Sequence, residues 1–206
     1  SGLVTGSSIS IGTAVAFRSN ITTQYDLAVD QNRLDSFVLV SVAGTATSPS
    51  VQAVVGTVSG NSITLGTGNT FLTSAHSGYY TRVVFNPFIA GSFLVAIRSG
   101  IATSRRPIGF LGTVTGTSVS LGPDFIIGNL SSTVGRIALA FDPNSNGKFI
   151  VPYVDIANTR LDVVLGQFAT AAAPNLTANN FIGMSSAAYA DGATSSIVLA
   201  GGVSAN

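Results

Sequence analysis

The chain has 206 residues, with nine bases against eight acids, a net charge of +1, and charged residues at 8% where an average soluble domain carries roughly 25%. All eight acids are Asp, eight of the nine bases are Arg, and Lys148 is the single Lys. A chain without Glu does not build solvent-facing helices, the charge balance gives no basic face for nucleic acid, and 46% apolar content argues against disorder. No apolar run reaches the roughly 18 residues that a membrane span needs. The absence of Cys removes disulfides and thiolate metal sites. The start at Ser1-Gly2, without Met, predicts a processed chain or a piece of something longer.

In chain order, the first feature is Gly2-Leu-Val-Thr-Gly-Ser-Ser-Ile-Ser-Ile-Gly12. It returns as Gly56-Thr-Val-Ser-Gly-Asn-Ser-Ile-Thr-Leu-Gly66 and as Gly112-Thr-Val-Thr-Gly-Thr-Ser-Val-Ser-Leu-Gly122, starting 54 and then 56 residues on. A fourth start, Leu161 to Phe168, matches Val51 to Val58 and then diverges. The second half of the unit repeats as well. Val29-Asp30, Phe85-Asn86 and Phe141-Asp142 are 56 apart, and so are Phe37, Phe93 and Phe149. Internal repetition of this length decides the fold before any single motif does. It divides residues 1–168 into three units, about 2–55, 56–111 and 112–168. Residues 169–206 follow as a β-rich appendage, with short strands expected at Phe181–Met184 and Ser195–Leu199 around an Asp191-Gly192 turn; a short helix over Ala178–Ala190 is the alternative, which Gly183 and two Asn disfavour.

Within the second unit the alternating runs and Gly-bearing turns predict strands at 51–58, 62–65, 82–85 and 92–98. The runs Phe37–Val40, Phe93–Ile97 and Phe149–Val151 are nearly continuous in apolar residues, which predicts burial on both faces. Pro152 lacks an N–H and predicts an edge or bend in the third unit. The expectation is an all-β protein of four-stranded antiparallel units of about 55 residues, resembling propeller blades. Closed propellers have roughly 4–8 blades. Three units and a partial fourth therefore predict blades shared between chains or a truncated ring. Sheets that stack without closing are a further arrangement, as is a circular closure in which Val163–Phe168 completes the first unit.

The phrase Gly-Thr-Val-Ser-Gly-x-Ser-Ile-x-Leu-Gly at Gly56–Gly66 and Gly112–Gly122, with Phe-Asp-Pro-x-x-x-Gly-Lys-Phe-Ile-Val at Phe141–Val151, resembles repeats in tail-fibre proteins of marine bacteriophages. The segment from Asn175 to Val203 is similar to the stretch on the C-terminal side of such repeats. The first unit departs most, with Asp30-Gln-Asn in place of Asp-Pro. The resemblance implies a virion appendage or related extracellular repeat protein and carries no catalytic residues.

Candidate sites are sparse. Asp142-Pro-Asn144-Ser-Asn146-Gly147 has the alternating oxygens of a calcium loop. Its twelfth position is Tyr153 rather than Glu, and the same residue types favour a plain turn; weak, millimolar calcium is the one cofactor candidate. Tyr79, Tyr80 and Arg82 with Arg105 and Arg106 are candidates to bind acidic sugar or lipid head groups, against a charged edge that blunts unwanted strand pairing. His76 is the single His and has no nucleophile elbow to serve. Asp26, Asp30 and Asp35 cluster where a turn is expected. Asn20, Asn129 and Asn175 begin Asn-x-Ser/Thr sequons that matter in a glycosylating host. The functional expectation is a non-enzymatic, self-associating structural module of a virion fibre or extracellular filament. Its partners are copies of itself or other fibre proteins, with no nucleic acid and no membrane span. The alternative is a propeller-like adhesin for cell-surface glycan.

Overall fold

Short β-branched runs broken by Gly, Asn and Asp favour strands joined by tight turns. The computed structural model describes residues 2–5, 8–18, 22–45, 48–73, 79–101, 104–128, 134–145 and 147–168, and these contain no helix. The appendage, with its two expected strands and Asp191-Gly192 turn, lies outside the described residues.

Strands β1 (Gly2–Thr5) and β2 (Ser8–Ile11) form a two-stranded hairpin. Sheet 1 runs β3 (Thr22–Val29), β4 (Ser36–Thr45), β5 (Ser48–Ser59), β6 (Ser62–Leu65), and β7 (Asn69–Thr73) also pairs with β5. Sheet 2 is the meander β8 (Tyr79–Phe85), β9 (Ser92–Ile101), β10 (Ser104–Thr115), β11 (Ser118–Ile126). In sheet 3, β12 (Val134–Ile137) and β13 (Ala140–Phe141) both pair with β14 (Lys148–Asp155), which pairs on its other side with β15 (Arg160–Gln167). All the ladders are antiparallel. The four strands expected between 51 and 98 do not share a sheet. The first two belong to sheet 1 and the last two open sheet 2.

One local geometry recurs in all three sheets. The turn after the first strand opens with Asp30, Asn86 or Asp142, whose Oδ1 accepts a hydrogen bond from the N–H of Asn32, Phe88 or Asn144, each at 2.9 Å. This is an Asx turn, the local bond that draws Asp and Asn to such positions. Five residues on, Asp35, Gly91 and Gly147 are left-handed, with φ of 60°, 73° and 74°. Their carbonyls accept from the N–H groups of Val58, Val114 and Phe168, each at 2.8 Å. The turn between the first two strands is thereby tied to the third.

Beside each turn an aromatic ring covers a glycine on the neighbouring strand. Phe37 stands opposite Gly56, Phe93 opposite Gly112 and Phe149 opposite Gly166. A Cβ on any of these glycines would sit 2.1 Å from the ring Cζ. The ring fills the space the glycine leaves and so marks the register.

The sheets pack face to face. Val38, Val40, Val42, Val51, Ala53 and Val55 of sheet 1 join Val83, Phe85, Phe93, Val95 and Ile97 of sheet 2 in one core. Leu94 and Ala96, on the other face of β9, join Phe149, Val151 and Tyr153 of sheet 3 in a second. Phe93 through Ile97 are all fully buried, as a continuous apolar run on a two-sided strand should be. The third run differs: Phe149 and Val151 are buried but Ile150 is 44% exposed. No described element covers that face of sheet 3.

Edge-strand side chains add to the joint between sheets 1 and 2. Gln24 accepts from the N–H of Tyr80, and Asp26 Oδ2 accepts from the N–H of Val83 at 2.9 Å. Asp26 therefore lies in a strand and bridges two sheets, where the sequence had suggested a turn. Asn69 Nδ2 donates to the carbonyl of Val119 at 3.0 Å. Pro152 is also not at an edge, since it sits in β14 opposite Val163 of β15. Its missing N–H falls where the neighbouring strand breaks between β12 and β13, and its carbonyl still accepts from the N–H of Ala138 at 2.9 Å.

Gly112→Ala is expected to cost about 1–3 kcal/mol by overpacking against Phe93, read by urea unfolding. In a Phe93→Leu background the added cost should shrink toward zero, because the colliding ring is gone.

Candidate functional site

Polar residues concentrate at the two ends of sheet 2. At the turn end, Asp30 is 2% exposed. Its Oδ2 accepts from the N–H of Gly91 at 2.7 Å, and Asn32 Nδ2 donates to the carbonyl of Asn86 at 3.1 Å. The first turn is thus fastened to the second, and the Arg33 Nε stands 3.9 Å from the same carboxylate.

Asp142, the first residue of the calcium candidate, spends its Oδ1 on the N–H of Asn144. That bond first, then the Ser145 hydroxyl and the charge of Lys148, hold its carboxyl below the ordinary Asp value despite slight desolvation. Asn146 lies outside the described residues. The same turn forms at Asn86–Gly91, which has almost no cation ligands, so the shape does not depend on a bound ion. Among the described residues no group of three or more His, Cys, Asp or Glu is placed to hold a metal.

At the opposite end, the pairing gathers the predicted ligand-binding residues. Tyr79 is opposite Arg98, Arg105 opposite Gly100 and Arg106 opposite Ser99. The β8–β9 register shifts between Tyr79 and Arg82, and Tyr80 within that shift has a left-handed φ of 57°, a costly conformation for a bulky residue. Its ring lies 4.8 Å from the Arg98 guanidinium carbon, within cation–π range. Arg98 is 8% exposed and its Nη1 donates to the carbonyl of Val134 in sheet 3 at 3.3 Å. Arg82 donates to the carbonyl of Thr81 at 2.8 Å, and Arg82 and Arg106 are half-buried.

Arg98 is the residue that sequence reading missed. The available signal was positional: Val42 and Val154 stand 56 residues to either side of it. A charge at a position otherwise held by Val marks a local departure from the pattern.

The other acids with described contacts are engaged structurally. Asp155, 1% exposed, accepts from the Asn158 backbone at 3.2 Å and side chain at 2.7 Å. Asp162 pairs with Arg160 at 2.8 Å. A cleft of about 520 Å³ opens where the first strands converge, lined by Leu27 and Val29, Val83 and Phe85, Leu139 and Phe141. His76, Asn20, Asn129 and Asn175 lie outside the described residues. These arrangements offer hydrogen-bonded joints, an apolar cleft and one aromatic–cation surface. Compared with protein-family models, curated proteins and solved structures, the chain matches none.

Asp30→Ala is expected to cost about 1–3 kcal/mol, because it strands the buried N–H of Gly91; Asp142→Ala, at the more open turn, should cost less in the same thermal or urea assay. Asp142 should titrate below free Asp when its carboxyl carbon is followed by NMR. A depressed folded value means that its contribution is complete above the ordinary Asp range and is lost as the pH falls through the depressed value. The Asp142→Asn protein should therefore lose less stability than the parent across that acidic window.

Proposed function

We propose that the chain is a non-enzymatic structural module that works by self-association, in a virion fibre or an extracellular filament. The observation that carries this reading is the threefold use of one turn-and-pair geometry at intervals of 54 to 56 residues. Such repetition makes similar surfaces in series, the requirement for stacking modules. The described carboxylates engaged in turns and joints fit the same reading, and a surface with few charges resists self-approach only weakly. The virion setting is supported by the resemblance of Gly56–Gly66, Gly112–Gly122 and Phe141–Val151 to phage tail-fibre repeats.

We read the three sheets as propeller-like blades. Their first strands line one cleft, and in sheets 1 and 2 successive strands step away from it, the order of a blade from hub to rim. Further blades would come from other copies or from flanking sequence.

The adhesin reading draws on one observation, the Tyr80–Arg98 stack flanked by Arg82 and Arg106. A half-buried aromatic beside cationic groups is a surface on which an acidic sugar can seat. A glycan array separates the two readings: reproducible binding that Tyr80→Ala abolishes favours the adhesin.

For the structural module, light scattering of the full chain across a concentration series should give masses above 20.8 kDa, with regular particles by electron microscopy. A monomer at every concentration would overturn it.

A further inference from the structure

The β1–β2 hairpin repeats one piece of a sheet without the rest of it. β1 pairs with β2 through Gly2↔Ile11, Leu3↔Ser10, Val4↔Ile9 and Thr5↔Ser8. The end of β5 meets β6 in the same register, Gly56↔Leu65 to Ser59↔Ser62, and β10 meets β11 likewise, Gly112↔Leu121 to Thr115↔Ser118. By this register β2 is a fourth strand and β1 the tail of a third. Neither pairs with any other described strand, and an isolated two-stranded hairpin is marginal in water.

Sheet 3 has the opposite deficit. Its third strand, β15, is the counterpart of β5 and β10, but among the described residues no strand pairs with its outer edge. The N–H of Phe168 points inward to the Gly147 carbonyl, so by alternation those of Leu165 and Gln167 point outward. Their counterparts in sheet 1 are Val55 and Thr57. The Val55 carbonyl accepts from the N–H of Gly66 at 2.8 Å, and Thr57 pairs with Thr64 of β6. Residues 163–167 of β15 hold no charge and no Pro, the devices that block unwanted pairing at an edge.

We propose that β2 of a second copy of this chain fills this place, pairing with β15 as β6 pairs with β5. The counterparts set the register: Ile11 stands opposite Gly166, Ser10 opposite Gln167 and Ile9 opposite Phe168, with the Gly12 N–H on the Leu165 carbonyl. β15 thereby replaces β1, whose Gly2–Val4 are the counterparts of Gly166–Phe168. The exchange is favourable because β15 brings the Phe149 ring over its glycine and the Gly147 carbonyl on Phe168, and because a lone hairpin strand becomes part of a four-stranded sheet. The occupant is a second copy because the chain's own β2 is held away. Sheets 1 and 3 pack on opposite faces of β9. Arg18, between β2 and β3, donates to the hydroxyl of Ser50, which alternates with Val51 and so lies on the face of sheet 1 turned away from sheet 2. The seven residues back from Arg18 to Ile11 span at most about 25 Å. Sheet 3 lies two layers further, roughly 20 Å at the usual layer spacing, and the path runs round the sheet edges. The proposal rests on the self-association reading above and gives it a joint and a register. Each copy gives a strand at one end and takes one at the other, so the contact is heterologous and forms a ring or a filament.

The chain has no Cys, so introduced cysteines report the joint cleanly. Full chains carrying Ser10→Cys and Gln167→Cys, mixed and oxidised, should give a covalent heterodimer, since partners in a hydrogen-bonded antiparallel pair lie about 5.5 Å apart at Cα, within disulfide reach. Ser10→Cys mixed with Leu161→Cys, six residues back along the same strand, should not. Cross-linking of both mixtures alike, or of neither while the parent still assembles, would overturn the strand exchange and leave self-association standing. A parent that stays monomeric would overturn both. A chain carrying Ser10→Cys and Gln167→Cys together should oxidise to a ladder of multimers; an oxidised monomer closed on itself would put the chain's own β2 on β15, against a second copy. Independently, Gln167→Pro removes the outward N–H and leaves the β14 side intact. It should abolish assembly while the dilute monomer melts as the parent does, and assembly equal to the parent's would overturn the joint.

Discussion

The carbonyl of one left-handed residue, caught by an N–H two strands away, governs the architecture. At Asp35, Gly91 and Gly147 that bond reaches Val58, Val114 and Phe168. It joins the first turn of a sheet to its third strand, and the Phe–Gly pair beside it allows only one alignment. A slip of one residue would turn every side chain to the opposite face. Fixing the register therefore fixes which residues look toward the preceding sheet and which toward the next. The face-to-face packing and the two cores are its consequences.

The three turns are not equivalent in what else they hold. The first has Asp35 where the others have Gly. Asp tolerates a left-handed backbone better than most side chains. A Cβ at Gly91 would approach Arg33 and the Val114 carbonyl to within 2.9 Å, so there the small residue is required by contact as well as by φ. Asp30 reaches across to Gly91, while Asp142 stays within its own turn. The scarcity of charge gains a structural sense from this. Asp26 and Asp30 fasten one sheet to another, and Asp155 ties down the turn before β15, with little display to solvent.

The strands and turns were legible in the residues. Phe37, Phe93 and Phe149 announced their common role by spacing, and the Asx residues announced the turns. Where one sheet stops and the next starts was not legible. In a meander each strand pairs with the next, so local pattern cannot say which hairpin is absent. The division falls between β7 and β8, inside what the Gly-rich phrases delimit as one unit. Ile150 was expected to be buried because its neighbours in sequence are apolar; its exposure depends on what lies opposite the sheet. Arg98 was overlooked because its meaning depends on Tyr80 and on Val134 of another sheet, contacts that no spacing rule contains.

Residue-resolved hydrogen exchange of the amides of Val58, Val114 and Phe168 tests the register lock most directly. All three are expected to exchange in the slowest class, opening only with global unfolding, although each lies at or near a strand end. Exchange at the rate of unbonded, solvent-exposed amides would mean that the turns are not tied to the third strands.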